Sequence, residues 1–288
     1  MIIDSHQHFW KIGKHDHEWP QSDLKPIYAD FGVDEWLNET QGLSLSGTVL
    51  VQSQPSHNDT HFLLDLATHH DLILGVVGYV DMSSPQALET LDIFRQNKKF
   101  VGIRPMLQSI SRDDWILNPQ FDPIFKALIA HNLCFDALIY TRHIQPIITL
   151  ARRYPDLKII IDHGAKPPIA SASAEAHSEW QQAMTKAADC PNIEVKLSGL
   201  WTEMAPDQTF ETITVFVDHL WLSFGPKRLM WGSDWPVIKL KASYQAWYDW
   251  VMTYVTTRDL SALSDIFAMT AIKTYRLNLP FFDAPINE

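Results

Sequence analysis

Met1-Ile2-Ile3-Asp4-Ser5-His6-Gln7-His8-Phe9-Trp10 opens the chain, and its reading decides how the rest is organised. The three apolar residues at the start make a short buried strand. Side chains two apart on an extended backbone point to the same side, so His6 and His8 aim together beyond the end of that strand. Paired imidazoles can hold a metal or polarise a carbonyl oxygen. Taken alone, His-x-His is as readily two polar residues that end a strand. Its weight depends on what the other strands bring to the same place.

Seven further apolar runs follow, at 47–52, 73–80, 100–104, 133–140, 157–163, 192–196 and 228–234. Each is short, and the run at 47–52 is rich in β-branched residues, as expected of a strand covered on both faces. Helical patterns separate them. The first, at 34–43, turns Trp36, Leu37 and Leu43 inward. The second, at 58–70, is capped by Asn58. The third begins at Ser84-Pro85, with Ser as N-cap, and buries Leu88, Leu91 and Phe94. Others span 121–131, 143–154, 175–188 and 208–224, and two closing helices span 244–257 and 260–277. Residues 11–30 form a long polar first loop. Parallel strands joined by helices close into a barrel or spread into an open doubly wound sheet. A count of eight favours the barrel, and the first strand lacks the Gly-x-Gly-x-x-Gly of a dinucleotide-binding sheet. The expected architecture is one α/β domain over 1–288, a TIM-type (β/α)8 barrel with an extra C-terminal helix.

The formal charge of −11 argues against nucleic acid and against an anionic membrane surface as partners. Cys134 and Cys190 give no disulfide framework. No apolar run reaches the ~20 residues that span a bilayer, and no charged-then-apolar leader precedes the first strand. A cytoplasmic protein acting on a small molecule is expected, with no prediction of oligomeric state.

Polar residues fall at one end of each strand, and chemistry in such barrels sits at the C-terminal strand ends. Strand one ends in His6 and His8, strand two in Gln52, strand four in Arg104, and strand six in Asp162-His163. Strand seven carries Lys196 and Ser198, and strand eight ends in Ser233-Asp234. Scattered placement would not concentrate these residue types there, and this raises the weight of His-x-His.

These pieces resemble the amidohydrolase superfamily. The resemblance rests on His6-Gln7-His8, Asp162-His163-Gly164-Ala165-Lys166-Pro167 and Gly232-Ser233-Asp234-Trp235-Pro236, and runs from Met1 to about Leu277. Within the superfamily the chain is similar to lactonases that act on sugar lactones such as L-fuconolactone or L-rhamnonolactone. A related branch hydrolyses 2-pyrone-4,6-dicarboxylate. Pro105 departs from the His that follows the Arg in many relatives, which bears on substrate rather than on reaction.

The resemblance implies hydrolysis of a sugar lactone to its aldonic acid. Asp234 is then the general base on water, and His6, His8 and His163 polarise the carbonyl. Either no cofactor is needed, or one divalent ion such as Zn²⁺ sits among His6, His8, His163 and Asp234. A second metal lacks its bridge, because strand four ends in Arg104, whose guanidinium is no metal ligand. Arg104, Gln52, Trp19, Lys166, Lys196, Trp201 and Trp235 are the expected substrate contacts. Two alternatives remain open: a mononuclear metal-dependent amidohydrolase or decarboxylase with the same ligands, and a barrel that binds a sugar acid without turnover. For Asp234 the structural alternative is capping of a helix that starts at Trp235-Pro236.

Overall fold

Eight parallel strands follow one another in sequence order in the computed structural model, which describes residues 1–279. They are β1 (Ile3–Gln7), β2 (Gly47–Val51), β3 (Ile73–Gly78), β4 (Phe100–Ile103), β5 (Cys134–Ala137), β6 (Ile159–Ile161), β7 (Ile193–Leu197) and β8 (Leu229–Trp231). The sheet returns nearly onto itself. Gln7 bridges Trp235 in parallel, the Asp234 N–H donates to the His6 carbonyl at 2.8 Å, and the His8 N–H donates to the Trp235 carbonyl at 2.8 Å. Asp4, fully buried, strengthens this seam. Its carboxylate accepts from the Ser233 N–H at 2.9 Å, the Ser233 hydroxyl at 2.6 Å and the Tyr244 hydroxyl at 2.9 Å.

Every strand residue is buried, which is why β3, β4, β6 and β8 are apolar throughout, while the polar residues of β1, β2, β5 and β7 are buried with them. Alternation divides them between two cores. Val49, Val51, Leu74, Val77, Val101, Ile160 and Met230 fill the barrel interior, while Leu50, Ile73, Val76, Ile159 and Ile161 pack outward. The outer layer comprises α1 (Val33–Glu39), α2 (His57–His69), α3 (Ala87–Phe94), α4 (Asp122–Ala130), α5 (Ile144–Arg153), α6 (Ala174–Ala188), α7 (Phe210–Phe224) and α8 (Tyr244–Arg258). The extra C-terminal segment ends in α9 (Thr270–Tyr275). Ala268, Ala271, Tyr275 and Leu277 from this segment join the interior cluster and close the barrel at the end away from the histidines. No helix among the described residues is long and apolar enough to cross a membrane.

Several local expectations are corrected. Ser56, not Asn58, caps α2, its hydroxyl accepting from the N–H groups of Asn58 and Asp59. The helix buries Leu63, Leu64 and Ala67. Leu37 and Leu88 are exposed, because α1 and α3 are short and each presents only one face. Ser84 caps a turn rather than α3, which starts at Ala87. The expected helix at 260–277 is broken into a 3₁₀ turn (Leu260–Ala262), a π turn (Asp265–Met269) and α9. The strand read to His163 stops at Ile161, because His163, Gly164, Ala165 and Lys166 all take left-handed backbone angles. The part of the expected domain at 280–288 lies outside the described residues.

Candidate active site

Asp234 is the centre on which three imidazoles converge. Its Oδ1 lies 3.2 Å from His8 Nε2, 3.7 Å from His6 Nε2 and 4.0 Å from His163 Nε2. Two of the four residues reach this point by an unusual backbone. Asp234 and His163 both hold φ near +55°, at 55° and 53° respectively. Non-glycine residues in that region cost on the order of 1–3 kcal/mol each, and such strain gathers where side chains must be aimed. Asp234 does not cap a helix with its carboxylate. The neighbouring Ser233 hydroxyl accepts from the Trp235 N–H at 2.9 Å and leaves Asp234 facing the histidines.

The far ring nitrogens are held from behind. His8 Nδ1 lies 2.8 Å from the Val51 carbonyl, which only accepts, so this nitrogen carries the proton. His8 Nε2 faces the Asp234 carboxylate at 3.2 Å, and since the carboxylate only accepts, a proton or a cation between them completes the contact. His163 Nδ1 meets the Ser198 hydroxyl at 2.9 Å. His6 Nδ1 is 3.1 Å from Lys196 Nζ and 3.3 Å from Asp162 Oδ1. Burial pushes the His163 pKa down to about 4 against the pull of Asp234 and Asp162, and burial with Lys196 pushes His6 well below its ordinary value. Both rings are therefore neutral at pH 7. Burial alone would raise Asp234, but His163, His8 and His6 outweigh it and hold the carboxyl below the usual range. It stays ionised, as a general base must be.

His6 Nε2 is buried without a hydrogen-bond partner. One ligand atom each from His6, His163 and Asp234 lies within 4.8 Å of the others. Two imidazole nitrogens, one of them orphaned, and a carboxylate oxygen suit a divalent ion of the zinc type. His8, the fourth expected ligand, touches Asp234 but lies outside that trio.

Beneath the histidines sits a buried ion network. Lys196 Nζ lies 2.6 Å from Asp136 and 3.1 Å from Asp162, all three without solvent exposure. Arg104 Nη1 donates to Asp162 at 3.3 Å, and its Nη2 donates to the Gln52 carbonyl at 2.5 Å. Burial would raise Asp162, yet Lys196, His6 and Arg104 hold it well below the usual carboxylate range.

Above the cluster opens a cavity of about 880 Å³. His8, His163 and Asp234 line it together with Arg104, Lys166, Glu203 and Trp19.

A model of the amidohydrolase family matches residues 3–277. The chain belongs to the amidohydrolase family. Across 286 residues it is 42% identical to an L-fucono-1,5-lactonase of Burkholderia ambifaria, covering 98% of this chain and 97% of that protein. An L-fucono-1,5-lactonase of Burkholderia multivorans is 30% identical, with 97% of each covered. A crystal structure of an amidohydrolase from Burkholderia multivorans with bound zinc superposes with a TM-score of 0.90 at 29% identity, over 96% of this chain and 100% of the other.

In this amidohydrolase the expected site residues separate into two groups. His6, His8, His163 and Asp234 meet; His6 is buried behind the cavity lining, while the other three line the cavity with Arg104, Lys166 and Trp19. Gln52, Lys196, Trp201 and Trp235 do not line it. Gln52 is buried and donates to the Arg104 carbonyl, so it acts on Arg104 rather than on a ligand. Lys196 is consumed by Asp136 and Asp162. Trp201 packs against Phe210 and Trp247, and Trp235 against Phe9 and Phe31. Lys166 is paired with Glu203 at 3.4 Å.

Gln54 and Asp136 escaped the sequence reading. The Gln54 amide accepts from the N–H groups of Glu18 and Trp19 and donates to the Trp19 carbonyl at 2.6 Å, which pins the first loop over the cavity. Its signal was there: Gln54 stands two residues after Gln52, one step nearer the mouth. Asp136 is a lone carboxylate inside an apolar strand, and such a residue is almost never buried unless paired.

Two supports of the site yield predictions. At Gly199 φ is +59°, and a Cβ there would overlap the His163 ring. Gly199→Ala must displace His163, and misplacement of a reacting group by about 1 Å costs on the order of 100-fold. We expect a drop of that order in kcat/KM, with a smaller change in KM, measured by steady-state kinetics on a protein that still folds. Asp59, on α2, accepts from the Ser53 N–H at 2.9 Å and the Gln54 N–H at 3.3 Å and so orders the turn carrying Gln54. Burial pushes its carboxyl up to about 7, against these donors and Arg104. The folded chain holds this proton more tightly than the unfolded one, so the group withdraws stability as pH rises between roughly 4 and 7. Asp59→Asn should therefore gain on wild type in Tm by several degrees more near pH 8 than near pH 5. A Tm difference independent of pH in thermal scans would sink that account.

Proposed function

We propose that this amidohydrolase hydrolyses a sugar-derived lactone, of the L-fucono-1,5-lactone type, to the open aldonic acid. The observation that carries the reading is one ionised carboxylate, Asp234, ringed by three buried imidazoles at the lining of a cavity. The named lactonase relatives over nearly the full chain support it. Water positioned at Asp234 loses a proton to the carboxylate as its oxygen attacks the lactone carbonyl. The ring C–O acyl bond then breaks, and the proton held by Asp234 passes to the departing ring alkoxide. Developing negative charge on the carbonyl oxygen needs a donor. Arg104 Nε–H is buried on the cavity wall without a partner, and it fills that role or holds a ring hydroxyl. A divalent ion held by His6, His163 and Asp234 would add Lewis-acid polarisation of the same carbonyl.

The test is a pH-indicator assay of purified protein against a panel of sugar lactones, with and without chelator. Fast acid release from a few related 1,5-lactones supports the reading, and the chelator arm reports whether an ion takes part. Absence of release from every lactone, with the protein metal-loaded, would overturn it.

A further inference from the structure

The cavity is far larger than the ring it is proposed to bind. A six-carbon sugar lactone has about a dozen non-hydrogen atoms and fills on the order of 200 Å³, judged against about 30 Å³ for one water. The cavity measures about 880 Å³. The surplus has a definite character and a definite place. In a ring of eight strands in sequence order, β3 and β4 lie across the mouth from β7 and β8. Asp234 follows β8. The loops after β3 and β4 contribute Val80, Met82, Met106, Ile110 and Trp115 to the opposite wall. Val80 and Met82 are buried, and Met106, Ile110 and Trp115 are half-buried. Trp115 is braced from behind by Phe121, with ring centroids 4.4 Å apart. Of the polar residues that these loops bring to the cavity, Tyr79, Asp81, Ser83 and Ser109 are half-buried or exposed, Gln108 is half-buried with a buried Oε1 that has no partner, and Arg104 belongs to the ion network beneath the histidines. Sugar hydroxyls need donors and acceptors, whereas thioether, aliphatic and indole surfaces offer contact area to apolar groups.

We propose that this wall is a subsite for an alkyl chain, so that the enzyme also hydrolyses δ-lactones bearing an apolar chain on the carbon next to the ring oxygen. The inference rests on the lactonase reading above. The ring carbonyl sits at Asp234 and His163, and the chain lies across the mouth against Met82, Ile110 and Trp115. The chemistry is unchanged: water adds to the carbonyl carbon, the ring acyl C–O bond breaks, and its proton ends on the hydroxyl of a 5-hydroxy acid.

The experiment compares kcat/KM for δ-lactones carrying hydrogen, methyl, propyl or pentyl at that carbon, alongside L-fucono-1,5-lactone. Burial of added methylenes should raise kcat/KM by about tenfold or more from methyl to pentyl. In Trp115→Ala and Ile110→Asp the pentyl-to-methyl ratio should fall toward one. A flat or falling series in the wild-type enzyme, while the sugar lactone is hydrolysed, overturns the subsite and leaves the lactonase reading standing. Loss of all lactone hydrolysis overturns both. The wild-type series decides the matter even if neither variant folds.

Discussion

Asp234→Asn is expected to lower kcat/KM on the best lactone by on the order of 10³-fold. Positioned general bases contribute typically 10²–10⁴, and the carboxylates of Asp162 and Glu203 are already engaged. Asp162 is locked by Lys196, Arg104 and His6, and Glu203 is paired with Lys166. The substitution keeps the shape of the side chain and removes its charge. It also reverses the hydrogen-bond logic, since an amide N–H can donate to His8 Nε2, where the carboxylate could not. Most of the loss should therefore appear in kcat, with the neutral ring still binding. Single-turnover and steady-state rates measured on variant protein with unchanged near-UV circular dichroism give the answer. Retention of kcat/KM to within about threefold would remove Asp234 from the chemistry and favour a barrel that binds without turning over.

The meeting of Asp234 with the three imidazoles was legible because polar residues gather at the C-terminal ends of the strands that carry them. His6-Gln7-His8, Asp162-His163 and Ser233-Asp234 mark three strand ends unambiguously, and eight strands in alternation with helices predict the barrel that joins them. Depth was not legible. Residues two apart on a strand share a side, yet lie roughly 6.6 Å apart along it. Ser198 reaches His163 while Lys196, with the same parity, sits a layer below and meets Asp136 and Asp162. Gln54 lines the cavity while Gln52 serves Arg104 from beneath. Polarity and period name the side of the strand, and only the assembled barrel decides which layer meets the ligand. The left-handed turn from His163 to Lys166 was hidden for another reason. Only one of its four residues is glycine, so the strain is imposed by the surroundings and leaves no local signal.

That lower layer carries the second large effect. Lys196→Met should cost about 3–5 kcal/mol, the usual loss when one partner of a buried ion pair is removed. At roughly 2–4 °C per kcal/mol for a chain of this size, Tm should fall by about 10 °C or more. The loss comes less from the missing attraction than from what remains. Asp136 and Asp162 would face each other without solvent and without the cation between them. Burial already pushes the Asp136 carboxyl up to about 6 with Lys196 in place. Among the described residues, the Tyr275 hydroxyl at 2.8 Å would still donate to it. Adding Asp136→Asn to Lys196→Met removes the stranded charge and should return part of the lost Tm, a recovery that simple loss of packing would not produce. The same substitution frees His6, whose Nδ1 would keep Asp162 alone, so kcat should fall in both variants even where stability recovers. Scanning calorimetry separates the two effects. A Lys196→Met protein that melts like wild type would overturn this account of the buried ion network.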